Sequence, residues 1–280
     1  MHFPFSPTQI QRLKELGAES AEWAAVFETA DERDRTFQVL EKKLGRSERQ
    51  RLNEFRDGRR RPRLCTLEND LAEALVAQRF VQVTTPILMS KGLLAKMGID
   101  ESHPLTEQVY WVDRTKCLRP MLAPHLYYVV KDLLRLWEKP VGLFEIGPCF
   151  RKESQGAAHA NEFTMLNLAE FGTPEESRMS RIEELAALVM KTAGLDDYVI
   201  AVEDSEVYGD TLDVLAGKER LEVASCAMGP HPLDGRWGIT DTWVGLGFGL
   251  ERLLMAGRGK DAMGRTGRSL TYIDGIRLNV

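Results

Sequence analysis

The sequence has no stretch of about eighteen apolar residues, the least that reads as a membrane-spanning helix. Its N-terminus, Met1-His2-Phe3-Pro4-Phe5, lacks a basic segment followed by an apolar run, which argues against a secretory signal. Cysteine is scarce. Cys65, Cys117, Cys149 and Cys226 stand far apart with no CxxC pair, so neither structural zinc nor a disulfide framework is expected. A reducing cytoplasm fits that usage. Positive charge is not in excess either. The formal net charge is −5, so a nucleic-acid partner would have to meet a local basic patch. There is no internal repeat and no low-complexity tract.

What remains is 280 residues with 43% hydrophobic content, enough for one large domain with a small appendage. Residues 1–63 read as polar and helical, with short apolar stripes at Ile10, Leu13, Leu16 and at Trp23, Val26, Phe27. The segment ends in a basic linker carrying Arg56, Arg59, Arg60, Arg61 and Arg63. Such a run is either a solvated junction or a phosphate-contacting patch.

From Leu64 the pattern changes. Leu64, Leu67, Leu71 and Leu75 recur at helical spacing, and Phe80–Pro86 is a β-rich run closed by proline. A second amphipathic helix carries Leu126, Val130, Leu133, Leu134 and Trp137, followed by a strand at Leu143–Ile146. A third helix is expected to start with Thr173 as N-cap, Pro174 at N1 and Glu176 as capping-box partner. Its apolar face is Ile182, Leu185, Ala186 and Val189, with Gly194 at C′. Strands at 199–203, 211–215 and 221–227 lead to a last helix from about Leu250. Strands joined by hairpins, with helices irregularly between them, predict an α+β fold with an antiparallel sheet flanked by helices.

Two segments carry the chemistry. In the first, a strand ends in Arg151-x-Glu153, a small polar loop turns, and a second strand starts at Phe163. Arg151 offers a planar fork for phosphate or carboxylate, Glu153 an acceptor for an exocyclic amine, and Phe163 a face for stacking. Strand alternation puts Phe163, Met165, Asn167, Ala169 and Phe171 on one side, and Thr164, Leu166, Leu168 and Glu170 on the other. Taken alone, Asn167 more often caps a neighbouring backbone group than reads a ligand. In the second segment, Gly245, Gly247 and Gly249 precede a helix whose first turn bears Arg252. Closely spaced glycines let a ligand approach the backbone. The spacing is not that of a dinucleotide fingerprint.

Together these residues resemble the class II aminoacyl-tRNA synthetase catalytic domain. Arg151-x-Glu153…His159…Phe163 is similar to its motif 2, Gly247-Phe248-Gly249-Leu250-Glu251-Arg252 to motif 3, and the segment ending at Pro86 to motif 1. Leu118–Pro124, Phe163–Asn167, Val207–Thr211 and Trp243 narrow the resemblance to the pyrrolysyl-tRNA synthetase family. It covers 64–280 closely as the catalytic domain, and 1–63 resembles the short leader of the bacterial catalytic subunit.

The resemblance implies a homodimer, ATP and Mg2+ as cofactors, and pyrrolysine tRNA as partner, with a separate N-terminal tRNA-binding subunit as a further partner. Arg151 and Arg252 would hold ATP phosphates as the catalytic residues. Glu153, His159, Phe163 and Gly247 would complete the ATP site, with Glu222 and Ser225 as metal ligands. Asn167 would bond the pyrrolysine side-chain amide. Leu122, Ala123, Leu126, Tyr127 and Val130 would line its pocket from one helix, and Ala169, Ala227, Trp243 and Gly245 from the sheet. Tyr208 would close over it from a hairpin. Arg59, Arg60, Arg61 and Arg63 would contact tRNA.

Three details depart from a simple carry-over. His125 stands where the family usually has Asn, and should face away from the pocket. Arg79 stands where motif 1 usually has Gly. Glu222 and Ser225 have opposite parity on a regular strand, so both can reach one metal only if the strand bulges. Two other readings use the same residues: a class II synthetase of different amino-acid specificity, and an inactive synthetase-like tRNA-binding paralogue. A non-tRNA amide-forming ligase on the same fold is a third.

Overall fold

The computed structural model describes residues 2–152, 160–205, 207, 209–257 and 263–280. The chain divides into two compact units, 1–62 with 269–280, and 63–268.

The first unit is built on α1 (Pro7–Glu15), α2 (Ser20–Trp23) and α3 (Ala30–Glu54), with strands β1 (Phe3–Pro4) and β2 (Val26–Phe27) paired antiparallel. α1 begins with a complete capping box, Ser6 and Gln9 exchanging side-chain-to-backbone bonds. Val26 and Phe27 therefore lie on a strand rather than on the helical stripe expected of them. Phe5, Leu13 and Phe27 form this unit's small core, and Phe5 meets Phe27 edge to face at 4.9 Å. The expected basic linker begins within a helix end. α3 runs on into a π-helical turn, Phe55–Arg59, closed by the Arg60 N–H donating to the Phe55 carbonyl at 2.8 Å. The C-terminal strands Tyr272–Ile273 and Ile276–Arg277 belong to the same unit.

The second unit opens with α4 (Arg63–Ala77), which buries Leu64, Leu67, Leu71 and Leu75 as their spacing requires. It ends in a Schellman motif. Phe80 N–H donates to the Leu75 carbonyl and Arg79 N–H to that of Val76, with Arg79 at φ +67°. β3 (Val81–Gln82), β4 (Leu88–Ser90), α5 (Lys91–Lys96), α6 (Leu105–Gln108), β5 (Lys116–Leu118) and α7 (Ala123–Leu133) follow. Then come the long strands β6 (Val141–Phe150) and β7 (Glu162–Phe171), α8 (Arg178–Thr192), the strands β8 (Tyr198–Ser205), β9 (Gly209–Ala216), β10 (Leu221–Gly229) and β11 (Trp243–Gly249), and α9 (Leu250–Ala256) and α10 (Met263–Thr266).

Seven strands form the main sheet in the order β3-β6-β7-β11-β10-β9-β8. Every pairing is antiparallel except β3 with β6. One face packs on α4, α8 and α9 in a continuous apolar cluster that includes Leu71, Phe144, Leu168, Leu185, Val214 and Phe248. The other face is the floor of the site. α8 corrects the expected helix start. Glu175–Ser177 is a 3₁₀ turn, the α-helix proper begins at Arg178, and the Thr173 hydroxyl donates to Glu170 instead of capping. Gly194, at φ +71°, closes the helix as its C′ residue.

Candidate active site

A cavity of about 410 Å³ lies on the open face of the sheet. Its floor follows from strand period and register. On β7 the alternate residues Phe163, Met165, Asn167, Ala169 and Phe171 all line it, while Thr164, Leu166 and Leu168 are fully buried on the opposite face. Next to β7, β11 sets Trp243 beside Phe171, Gly245 beside Ala169 and Gly247 beside Asn167. Two glycines in that row leave the centre of the floor open. β10 then sets Ala227 beside Gly245 and Ser225 beside Gly247, and β9 sets Asp213 beside Ser225.

β10 is not regular. Glu222 pairs with Leu215, but Ala224 pairs with Val214, so Val223 is an extra residue in the strand. Directly paired residues share a face, and Leu215 and Asp213 are two apart on β9. Glu222 and Ser225 are thereby brought to the same side. Both line the cavity.

α7 forms a wall with Ala123, Leu126 and Tyr127. The Tyr127 ring stacks on Trp237 at 5.5 Å and meets Trp243 edge to face at 5.6 Å. Trp243 is held by its indole N–H, which donates to Asp234 at 2.9 Å. These contacts make the apolar end of the cavity rigid.

The cavity is also lined by two arginines, Arg151 and Arg252. Arg151 lies over the Phe163 ring at 5.4 Å, and its Nε donates to the Pro120 carbonyl at 2.9 Å. Pro120 is held in turn through Arg119, whose guanidinium is 2.6 Å from Glu145 with both side chains 2% exposed. Arg119 also donates to the carbonyls of Thr85 and Pro148. Removing one partner of such a buried pair leaves an uncompensated charge, so the network fixes geometry more than it adds stability. His125 joins it through Thr85, Nδ1 to Oγ1 3.0 Å. Burial, and then the Arg119 charge, push the His125 pKa below its usual range. From the first turn of α9, Arg252 pairs with Glu222 at 3.2 Å and also donates to the Glu222 carbonyl. Glu251 turns inward, accepts the Thr164 N–H, and has its pKa raised by burial.

Solved structures resemble this chain along nearly its whole length. A pyrrolysyl tRNA synthetase from Desulfitobacterium hafniense, PylSc, is 51% identical, covering 99% of this chain and 96% of that one with a TM-score of 0.89. A second structure of pyrrolysyl-tRNA synthetase from the same organism is 52% identical, covering 99% of each chain with a TM-score of 0.91. The chain belongs to the pyrrolysyl-tRNA synthetase family.

More distant likenesses agree with that class. A family model described as the phenylalanyl tRNA synthetase beta chain CLM domain matches residues 56–223. Among curated proteins, the threonine–tRNA ligase of Ehrlichia chaffeensis is 27% identical over 187 residues, 60% of this chain and 29% of that protein. That of Mycolicibacterium smegmatis is 29% identical over 126 residues, 42% of this chain and 18% of that protein. The chain spans less than a third of the length of these curated relatives.

Within this family member, the residues singled out from the sequence mostly converge. Arg151, Phe163, Asn167, Ala169, Glu222, Ser225, Ala227, Trp243, Gly245, Gly247 and Arg252 all line the one cavity, as do Ala123, Leu126 and Tyr127. Leu122 and Val130 do not. Leu122 precedes α7 with no exposure, and Val130, one turn beyond Tyr127, is packed in the cluster behind the wall. Glu153, His159 and Tyr208 lie outside the described residues. His125 faces Thr85 and is not among the lining residues, as expected. Arg59 pairs with Asp274 at 2.7 Å, and the Arg60 Nε donates to the Arg56 carbonyl. Asp213 was missed, because its link to Ser225 is a register and no spacing in the chain reports a register.

Among the described residues no three His, Cys, Asp or Glu side chains cluster as a metal site, and no helix is long and apolar enough to cross a membrane.

Proposed function

We propose that the chain condenses pyrrolysine with ATP to the adenylate, releasing pyrophosphate, and transfers the acyl group to the 3′ end of its cognate tRNA, releasing AMP. The observation that carries this reading is the single strand face bearing Phe163 at one end of the cavity and Asn167 and Ala169 towards the other. A nucleotide base stacked on Phe163 and an amide side chain beside Asn167 are thereby held in line on one rigid surface.

Arg151 and Arg252, on separate elements, bind the phosphates and offset the charge that develops at the α-phosphorus as the carboxylate attacks. Glu153 reads the adenine amine, His159 approaches the triphosphate, and the bare backbone at Gly247 leaves room for the nucleotide. Asn167 donates one amide hydrogen to the Leu246 carbonyl at 3.2 Å, which orients the other towards the substrate amide. Ala123, Leu126, Tyr127, Ala169, Ala227, Trp243 and Gly245 surround the apolar part of the amino acid, and Tyr208 closes over it. The residues contribute alignment and charge stabilisation.

The oxygen donors fit Mg2+. Glu222 and Ser225 share a face and both line the cavity. When bound, the ion would neutralise phosphate charge and orient the triphosphate. Exposed apolar side chains around motif 1, Val76, Val81, Ile87 and Leu88, support a homodimer. Arg59, Arg60, Arg61 and Arg63 are proposed to meet tRNA, with a separate N-terminal subunit as a further tRNA-binding partner.

Amino-acid-dependent pyrophosphate exchange, with pyrrolysine set against threonine, phenylalanine and the other common amino acids, tests the reading. Exchange with pyrrolysine alone is expected; exchange driven by a common amino acid and absent with pyrrolysine would replace it.

A further inference from the structure

Asp213 has no role in the reading above, yet its placement is unusual. One carboxylate oxygen, Oδ1, is buried and has no hydrogen-bond partner. A buried polar atom left unpaired costs about 1–3 kcal/mol, and more where it carries charge. Such a group calls for an explanation, and a bound ion is one.

The charges along the cavity narrow what that ligand is. Among the described lining residues, three others are carboxylates or carboxylate-paired cations with stated partners: Glu222 is paired with Arg252, and Glu251 accepts the Thr164 N–H. Asp213 is the lining carboxylate with an orphaned oxygen. It is paired in register with Ser225, and the bulge at Val223 turns Glu222 to the same side. Side chains directly opposite on neighbouring strands have Cβ atoms about 4.5–5.5 Å apart. That spacing would let both side chains donate oxygens to one divalent cation. One carboxylate shared with Arg252 and one neutral hydroxyl make a weak donor set for a divalent cation. A second carboxylate supplies the missing charge.

The geometry points to Asp213 as the third protein oxygen ligand of the ATP-associated divalent cation, alongside Glu222 and Ser225. The inference rests on the ATP-binding part of the proposed function and not on the identity of the amino acid.

The test is Mn2+ binding followed by electron paramagnetic resonance, in the presence of a non-hydrolysable ATP analogue, for the wild-type chain and Asp213→Asn. The expected result is about 10–100-fold weaker Mn2+ binding in the variant, with pyrrolysine affinity, read separately by calorimetry, within twofold of wild type. Unchanged Mn2+ binding would overturn the assignment. So would a loss confined to pyrrolysine affinity, which would make Asp213 the ammonium acceptor. Asp213→Ser serves the same comparison if the asparagine variant does not fold. A wild-type chain that binds no Mn2+ with the analogue sinks the ATP-site reading itself. Wild-type binding matched by both variants sinks only the role given to Asp213.

Discussion

Glu222 and Ser225 lie on the same face of β10, although they are three residues apart on a strand whose side chains alternate. Val223 makes the difference. As the residue skipped in the register between Glu222 and Ala224, it shifts the phase of the strand by one, so the two oxygen-bearing side chains reach the same side of the sheet. The register shift removes the parity that set Glu222 against Ser225.

Asn167 should decide the amino acid and not the nucleotide. Its amide is anchored on the Leu246 carbonyl, and Asn167→Ala removes the donor without altering Arg151 or Arg252. Pyrrolysine-dependent exchange is expected to fall at least about 30-fold, the cost of about 2 kcal/mol for one unpaired buried polar group. ATP affinity should hold within twofold. Undiminished pyrrolysine activation would show that this side chain does not read the substrate.

Gly247 lies between Asn167 and Ser225 in one row of the floor. A Cβ there would meet the Met165 methyl at 3.4 Å, an ordinary contact, so Gly247→Val should fold while its branches fill the open centre. We expect a melting temperature within about 4 °C of wild type, since a tolerated contact costs no more than about 1 kcal/mol. Activation should be lost. Retained activation would mean that the substrates do not cross this row.

Arg79 occupies a left-handed position, φ +67°, at the end of α4. The strain of a side chain there is about 1–2 kcal/mol, and glycine adds back about 0.4–1 kcal/mol of unfolded-chain entropy. Strain outweighs entropy, so Arg79→Gly should stabilise the chain and raise its melting temperature by about 2–4 °C. A lower melting temperature would show that the Arg79 side chain makes contacts worth more than the backbone strain.

His125 supplies a pH dependence. Its folded pKa is depressed by burial and by Arg119, so below the unfolded value of about 6.5 the unfolded chain takes up a proton that the folded chain resists. Stability from this group is present above that value and is lost as pH falls below it towards the folded pKa. His125→Asn should flatten urea-unfolding stability against pH across that acid window, with little change at pH 8. Equal slopes for the two proteins would remove His125 as the cause.

Several elements were legible in the chain because their signals are local. Four leucines at helical spacing define the buried face of α4, and Gly194 closes α8 because only a residue at ease with positive φ suits its C′ position. Period two along β7 was enough to put Phe163 and Asn167 on one side. Local signals also misled. Thr173 and Pro174 read as a helix start, but the hydroxyl found a buried carboxylate, Glu170, and the α-helix waited until Arg178. The arginine-rich run read as a linker, and the helix reaches into it as far as Arg59, where Arg60 closes the turn.

By itself, then, the sequence determined the helices beside the cavity and the strand face that holds the ring and the amide together. Those follow from spacing within one segment, where backbone geometry sets the period. Tertiary structure alone decided that Val130 joins the core while Tyr127 lines the cavity, that an extra residue in β10 aligns Glu222 with Ser225, and that Asp213 stands opposite Ser225 with an unpaired oxygen. The reason is physical: pairing between strands and packing between layers join residues distant in the chain, and their register is set by the whole sheet.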